Sequence, residues 1–378
     1  MKHLGILICV IGFSFGQNYL DALRPFYGFQ SVQPLSMALG YSTVAAGQVV
    51  PGATGNPANY ALQRFTVLQA GFETTKFKSS PEELTDSGLD GLSFTLPVHV
   101  YQGSLAFGGG ITKELDFSSV YAHPEYDYFE EGGIYKTSFG AAVEFARDLF
   151  IGADFHIYHG SNEMLRFYPD STDYLDVSYS GWSTSVGILH RLAPMLQIGA
   201  VLQLPTYIWA DESFTFSNDI DPDSNQKWDS DYSLRRPIQL QYGVSFLHPV
   251  VNLFYQADWT DWHNLEFKTD NIKVNGINLG VIIDQEIRRN LRTTLSHHAG
   301  IAIHLPRLPV HLYGGYQLLP VPFDGVYDNN RRESFSWGLS YLASQQVSVQ
   351  LAQTHYTWDY LSHAESYDQL AFGISLHF

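Results

Sequence analysis

The chain has 378 residues, a formal net charge of −17 at pH 7 and a single cysteine, Cys9. This acidic balance argues against nucleic acid, for which a basic face supplies most of the affinity, so we expect no nucleic-acid partner. No stretch holds 18 consecutive apolar residues, which excludes a helical membrane protein. Aromatic residues make up 15% of the chain and charged residues only 16%, with 32 glycines, a mixture that favours a β protein with many turns and aromatic girdles.

The first residues have the pattern of a secretory signal peptide. Lys2 and His3 precede the apolar stretch LGILICVIGFSF, residues 4–15, and Gly16 follows it. The stretch is too short to span a bilayer, and small residues stand where cleavage is expected, so we predict removal of residues 1–16. Cys9 lies in that segment, and the exported chain would therefore contain no disulfide and no cysteine metal site.

Residues 17–64 do not alternate and carry Gly and Pro among short apolar pieces. The segment is too long for a tail and too short for a separate domain. A wide β-barrel can hold a segment of this size as a plug in its lumen. We therefore predict an N-terminal plug, or hatch, over residues 17–64, followed by a barrel over residues 65–378.

Fourteen alternating segments follow, which we interpret as strands. They are residues 65–77, 91–101, 104–115, 134–145, 149–158, 174–189, 195–205, 237–247, 250–261, 293–305, 309–319, 334–342, 346–357 and 367–378. Connections after the even-numbered segments are short, such as QG at 102–103, whereas those after the odd-numbered segments are long, reaching residues 206–236 and 262–292. Short turns at one end, long loops at the other and an even strand count are typical of outer-membrane barrels.

Within the segments one parity is apolar, and the other carries polar residues such as Asp154, His156 and Gln197. This alternation alone fits a soluble sandwich as well as a barrel with a wet lumen. The short turns at one end and the long loops at the other, together with the terminal aromatic residue Phe378, favour a membrane barrel over a soluble sandwich. The predicted fold is thus all-β, a 14-stranded antiparallel transmembrane β-barrel in the outer membrane of a Gram-negative-type bacterium, with Phe378 as its C-terminal assembly signal.

Several motifs, in the same order along the chain, resemble the FadL/TodX family of outer-membrane channels for long-chain fatty acids and other hydrophobic compounds. The motifs are QNYLDALRPF, GATGNPANYAL, LQIGAVLQLPTYI, RRPIQLQYGVSFL, LFYQADWTDWHNLEF and LRTTLSHHAGIAIHLPRLPVHLYGGYQLLPVPF. The chain departs from the family pattern at Asn59, where relatives usually have glycine, and in ALGYSTVAAG, where they have a denser glycine run.

The resemblance implies roles for two motifs that local chemistry also explains. Asn56, Pro57 and Ala58 form a turn by their own preferences, since Pro fixes φ and Asn caps its own backbone; the resemblance adds a gating role as the hatch motif. Gly108, Gly109 and Gly110 weaken strand pairing and permit a bulge or bend. The resemblance implies that this third strand is kinked and forms a lateral gate.

An apolar group near the start of the exported chain is the candidate ligand site. It consists of Leu20, Leu23, Phe26, Tyr27 and Phe29. These residues would offer apolar surface inside a polar lumen, where each buried methylene of a ligand gains ~0.8 kcal/mol. Anchoring of the plug is the alternative role, and the two are compatible.

The sequence therefore predicts a monomeric channel that takes up a hydrophobic small molecule passively and releases it sideways into the membrane. No cofactor and no metal site are indicated. Outer-membrane lipid, lipopolysaccharide and the barrel-assembly machinery are the other expected partners. A FadL-like barrel that serves as a shuttle or anchor in protein secretion is the alternative; an acyl hydrolase would need a Ser, His and acid set on one wall, which we do not find.

Overall fold

The computed structural model describes residues 18–29, 33–47, 49, 55–79, 82–123, 126–218, 220–269, 272–274, 276–323, 331–360 and 363–378. The predicted signal peptide lies outside these residues. Alternation with period two, which places every second side chain on the same face, produces long strands through most of this part of the chain.

Fourteen strands form a closed antiparallel barrel, which confirms the predicted fold class. The first seven are β1 (Val67–Ser79), β2 (Glu82–Val98), β3 (Leu105–Asp116 and Ser119–His123), β4 (Tyr126–Ala146), β5 (Leu149–Tyr168), β6 (Ser171–Ala193) and β7 (Leu196–Gln203 and Thr206–Asn218). The others are β8 (Gln226–Arg236 and Gln239–Leu247), β9 (Val251–Asp261 and Glu266–Lys268), β10 (Thr293–His304), β11 (Val310–Pro320), β12 (Arg331–Leu342), β13 (Val347–Tyr360) and β14 (His363–His377).

The barrel closes between its first and last strands. β1 pairs with β14 from Val67 opposite His377 to Ser79 opposite Glu365. Beyond this ladder, the Phe378 amide donates a hydrogen bond to the Thr66 carbonyl at 2.9 Å, and the Phe378 carbonyl accepts one from the Thr66 amide at 3.2 Å. The pairing of β1 with β14 leaves no free terminal strand in the described sheet, as a lipid environment requires.

The two faces of the wall differ as the alternation predicts. On β5, Phe155 and Ile157 point outward and are 45% and 43% exposed, whereas Asp154 and His156 point inward and are buried. Exposed apolar side chains recur on the outward parity of the other strands. An apolar outside and a polar inside is the arrangement of a barrel that faces lipid.

The sequence analysis predicts long loops after the odd-numbered strands. This prediction is wrong in part, because several of these stretches form strand or helix. Residues 206–236 contain a hairpin in which Thr206–Asn218 pairs with Gln226–Arg236, and Phe214 stacks on Trp228 with ring centroids 5.3 Å apart. Strands β1, β2, β4 and β5 also extend past their predicted ends. Both faces of these extensions carry polar residues, so the apolar alternation that marks a lipid-facing strand is lost there.

The helices are short. They are α1 (Tyr19–Leu23), α2 (Pro34–Ala38) and α3 (Leu279–Asn290), with 3₁₀ turns at Arg24–Phe26, Pro57–Leu62, Pro222–Ser224 and Trp262–Asn264. A two-residue pairing of Lys273–Val274 with Ile277–Asn278 precedes α3. In the described part of the chain, none of the helices has the length and apolar character needed to cross a bilayer.

Candidate functional site

A cavity of about 230 Å³ lies in the lumen between the N-terminal residues and the wall. Phe26, Tyr27 and Phe29 line one side of it. Polar wall residues also line it, among them Lys136, Asp154, His156, Gln203, Arg236 and Gln256. An aromatic surface facing a few polar groups is typical of small-molecule sites.

Local sequence chemistry brings the aromatic residues to the cavity. The Asn18 side chain accepts a hydrogen bond from the Leu20 amide at 2.7 Å, and the Asp21 carboxylate accepts one from the Asn18 amide at 2.9 Å, which completes a capping box for α1. Pro25 stands in the 3₁₀ turn that follows. The chain then becomes extended at Tyr27, and the side chains after the turn reach the lumen.

A buried apolar cluster, which we call the outer cap, lies at the end of the barrel opposite the short turns. Its members come mainly from α1, α3 and the ends of β8 and β9, and include Leu23, Tyr232, Trp262, Phe267, Leu279, Ile283, Ile287 and Leu291. Leu23 is 2% exposed within this cluster, and Leu20 is 38% exposed. Neither residue lines the cavity, so three of the five predicted ligand-site residues meet there.

Phe29 is held by aromatic and cationic neighbours. Its ring stacks on Tyr367 with the centroids 3.8 Å apart. The Arg332 guanidinium lies 4.7 Å from the Tyr27 ring, 4.9 Å from the Phe29 ring and 5.1 Å from the Trp358 ring. Cations over aromatic faces are attracted by the ring quadrupole. Phe29 therefore both lines the cavity and anchors the N-terminal residues to the wall.

Arg236 provides a cation at the cavity. Its guanidinium lies 5.7 Å from the Phe26 ring, and its Nε and Nη2 atoms are buried without a hydrogen-bond partner among the described residues. Lys136, by contrast, is paired with Glu114 at 2.5 Å. Buried donors without partners are costly, so Arg236 is suited to bind an anionic group in the cavity.

A second cavity of about 230 Å³ adjoins the first. Tyr27, Gly28, Phe29 and Arg332 line both. The second cavity is also lined by apolar and acidic residues of the wall, namely Phe77, Asp116, Phe117, Trp358 and Glu365. The Phe29 and Arg332 side chains thus form a shared boundary between two spaces in the lumen.

The described residues of the segment 34–60, which are 34–47, 49 and 55–60, lie against inward-facing glycines of nine strands, a set that we call the glycine belt. A Cβ atom on any of these glycines would lie within 3.0 Å of an atom in residues 34–60. The belt comprises Gly108, Gly152, Gly187, Gly199, Gly243, Gly300, Gly315, Gly338 and Gly373. Glycine permits this close approach because it has no side chain.

Asn56, Pro57 and Ala58 form the expected turn. The Asn56 Oδ1 accepts from the Ala58 amide at 3.0 Å, and its Nδ2 donates to the Val44 carbonyl at 2.9 Å and the Ile188 carbonyl on β6 at 3.1 Å. Asn56 therefore joins two parts of the N-terminal segment to the wall. The gating role of the motif stays a prediction.

The three glycines of β3 are regularly paired on both sides. Gly108 faces Thr95 and Gly140, and Gly110 faces Ser93 and Ser138. Gly108 belongs to the glycine belt, where it leaves room for the Tyr60 ring. The interruption of the wall lies just beyond: the described ladder between β2 and β3 ends at Gly91 and Thr112, and β3 shifts register between Lys113 and Leu115. A gating role for Gly108, Gly109 and Gly110 stays a prediction.

Sequence reasoning missed Arg236, Arg332 and α3. Residues 262–292 were interpreted as a loop, yet Leu279, Ile283 and Ile287 recur every four residues behind Asn278, whose side chain caps α3. That spacing was a usable helix signal. The two arginines stand at strand ends, where charge is ordinarily solvated, and nothing local distinguishes them.

Neither a family model nor a curated protein matches the sequence. Several solved structures, however, are similar to this chain. The CymD monoaromatic hydrocarbon channel is similar with a TM-score of 0.64 at 16% identity, over 93% of this chain and 98% of that chain. The Pseudomonas putida toluene transporter TodX gives 0.63 at 13%, over 93% and 98%. A Pseudomonas aeruginosa FadL homologue gives 0.67 at 12%, over 93% and 99%. The chain thus has the fold of the FadL/TodX-type hydrophobic-compound transporters, the family that its motifs resemble.

Proposed function

We propose that this protein is an outer-membrane channel for the passive uptake of hydrophobic small molecules of the long-chain fatty acid type. The observation that carries the proposal is the luminal cavity, which is lined by Phe26, Tyr27 and Phe29 and by Arg236. Two of the similar structures, a monoaromatic hydrocarbon channel and a toluene transporter, support a hydrophobic substrate.

The geometry favours an amphipathic ligand over a plain hydrocarbon. A carboxylate near Arg236 would satisfy guanidinium donors that have no partner among the described residues. Each methylene of the tail that leaves water would gain about 0.8 kcal/mol. Pockets for drug-sized ligands span roughly 300–1,000 Å³, more than the 230 Å³ of the first cavity. A long acyl chain would therefore extend past Phe29 into the second cavity.

In the proposed route, residues 17–64 act as the hatch. The ligand is captured among the outer loops, enters the cavity beside the hatch, and leaves sideways into the bilayer after the hatch moves. The close packing of the described residues of 34–60 against the glycine belt supports a hatch that is held by tight van der Waals contacts. The route needs no energy source, because a bilayer is a favourable destination for an apolar molecule.

The proposal is tested by what the barrel retains. The protein is purified in detergent, delipidated, incubated with a native membrane extract, washed and analysed by mass spectrometry. We expect one class of long-chain carboxylate to be retained in a near-stoichiometric amount. Absence of any hydrophobic ligand, together with a co-purifying secreted protein, would contradict uptake and favour the secretion shuttle.

A further inference from the structure

A row of polar side chains, which we call the polar row, crosses six neighbouring strands from β5 to β10 and lines the first cavity. Its members, each directly opposite the next, are Asp154, Ser185, Gln203, Gln239, Thr260 and Thr294. A plain acyl chain that lies against such a row removes water from polar groups and returns no hydrogen bond, which costs free energy. The polar row therefore favours a ligand that carries a polar group of its own along the chain.

Asp154 at one end of the polar row has an open acceptor. The residue is 5% exposed, and its Oδ1 atom is buried without a hydrogen-bond partner among the described residues. Its Oδ2 atom accepts a hydrogen bond from the Tyr60 hydroxyl at 3.4 Å. Lys136 lines the same cavity, but its ammonium pairs with Glu114. A buried carboxylate oxygen without a donor is costly, so it is suited to accept a hydrogen bond from a ligand.

The polar neighbours of Asp154 are engaged with one another. The His156 ring lies between two serine hydroxyls, with Nδ1 at 2.8 Å from Ser138 Oγ and Nε2 at 3.1 Å from Ser185 Oγ. In a neutral imidazole one nitrogen donates and the other accepts, so both ring nitrogens are used by these two contacts. Ser185 is the cross-strand partner of Asp154, yet it bonds to the ring instead. The wall thus leaves the Asp154 Oδ1 atom open to the cavity's occupant.

The open acceptor lies well away from Arg236, the cation that the proposed function assigns to the ligand carboxylate. Asp154 stands on β5, and Arg236 stands on β8, three residues before Gln239 of the polar row. Neighbouring strands are about 4.8 Å apart, so three spacings separate the two residues by roughly 14 Å along the wall. A ligand that places its carboxylate on Arg236 therefore reaches Asp154 with the middle of its chain.

We propose that the first cavity selects an amphiphile with two polar groups, a carboxylate that binds Arg236 and a mid-chain hydrogen-bond donor that binds the Asp154 carboxylate. This inference rests on the proposed uptake function and narrows its substrate class. A hydroxyl is the neutral form of such a donor, and an ammonium is the charged form. A ketone at the same carbon only accepts hydrogen bonds, so it gains nothing from a carboxylate.

A series of stearate derivatives tests the proposal on the wild-type protein in detergent, by titration calorimetry. The probes are stearate itself and its derivatives with a hydroxyl, an amine or a ketone at one mid-chain carbon, together with the derivative whose hydroxyl is next to the carboxylate. We expect the mid-chain hydroxyl or amine to bind roughly tenfold tighter than stearate, since a hydrogen bond to a charged group is a strong one. The ketone and the displaced hydroxyl should bind no tighter than stearate. Equal affinity for all five probes would overturn the donor site and leave uptake standing, whereas binding of none would sink both proposals.

Two variants assign the preference to Asp154. Asp154→Ala removes the acceptor, and we expect it to bind the mid-chain donor probes no tighter than stearate. Tyr60→Phe is the matched control, because it removes the hydroxyl that contacts Oδ2 and leaves the carboxylate in place; it should keep the preference. A preference that survives in Asp154→Ala would refute the assignment, as would its loss in Tyr60→Phe alone. The probe series on the wild type needs no variant, so it decides the proposal even where Asp154→Ala does not fold.

Discussion

Arg235 and Arg236 are neighbours on β8 but have different environments, because successive side chains of a strand point to opposite faces of the sheet. Arg235 pairs with Glu266 on the neighbouring strand, and its side chain is 39% exposed. Arg236 has the opposite parity and lines the cavity, where its Nε and Nη2 atoms have no partner among the described residues, whereas Arg235 lacks such a partner only at Nε. The same side chain is thus a surface ion pair at one position and a candidate anion receptor at the next.

We predict that Arg236→Ala weakens the binding of a long-chain carboxylate roughly ten- to hundredfold, since a hydrogen bond to a charged group contributes about 1.5–3 kcal/mol. The alcohol of the same chain length should bind equally well to both proteins. Titration calorimetry in detergent measures both affinities. Arg235→Ala is the control and should leave both unchanged; an equal loss for acid and alcohol in Arg236→Ala would contradict a headgroup role.

Neighbouring glycines on β11 allow a similar comparison. A Cβ at Gly315 would collide with the backbone of Gly40 and Leu39, whereas a Cβ at Gly314 would meet only the Ile301 side chain at 3.2 Å. Overpacking of a tight contact costs typically 1–3 kcal/mol. We therefore predict that Gly315→Ala loosens the N-terminal segment.

Limited proteolysis of residues 34–60 and the temperature of barrel unfolding on gel electrophoresis measure this effect. Gly315→Ala should be cleaved faster and unfold at a lower temperature. Gly314→Ala should behave as the wild type does. Equal behaviour of the two variants would show that the close packing at Gly315 does not hold the segment.

At the scale of elements, α3 packs against α1 and the end of β9. Its buried face contributes Leu279, Ile283 and Ile287 to the outer cap, where α1 contributes Leu23. Val281 on the same helix is 50% exposed. The helix is therefore held to the barrel by a single apolar face, and its stability depends on that face more than on its own length.

We predict that Ile287→Ala destabilises the outer cap locally by about 2–5 kcal/mol, the cost of such a truncation at a buried site. Hydrogen exchange in residues 279–290 should speed up, and a bound ligand should dissociate faster. Val281→Ala is the control, since that side chain is half exposed. Unaltered exchange in Ile287→Ala would mean that α3 does not depend on this contact.

At the scale of the whole molecule, the barrel could be predicted because apolar residues occupy every second position of its strands, on the face that is turned to lipid, all around the wall. Leu196, Ile198 and Leu202 on β7 are of this kind, and fourteen such segments define the strand number. The ends of the strands could not be predicted, because beyond the apolar belt both faces are polar and the period is lost.

The cavity was predicted only in part. Phe26, Tyr27 and Phe29 are conspicuous as an aromatic group, and they line the cavity. Arg236 and Arg332 line the cavity beside residues that are distant in the chain, such as Phe26 and Tyr27. Long-range pairing of this kind leaves no local signal, so it emerges only when the barrel is assembled.

The glycine belt has a consequence for how the molecule is made. Its contacts run from Gly108 on β3 to Gly373 on β14, and Gly373 itself would touch Pro34 if it carried a Cβ. A chain segment that fits its surroundings this closely cannot be threaded into a finished cylinder. We therefore expect the described residues of 34–60 to be in place before β14 joins β1, and that joining to hold them in the lumen.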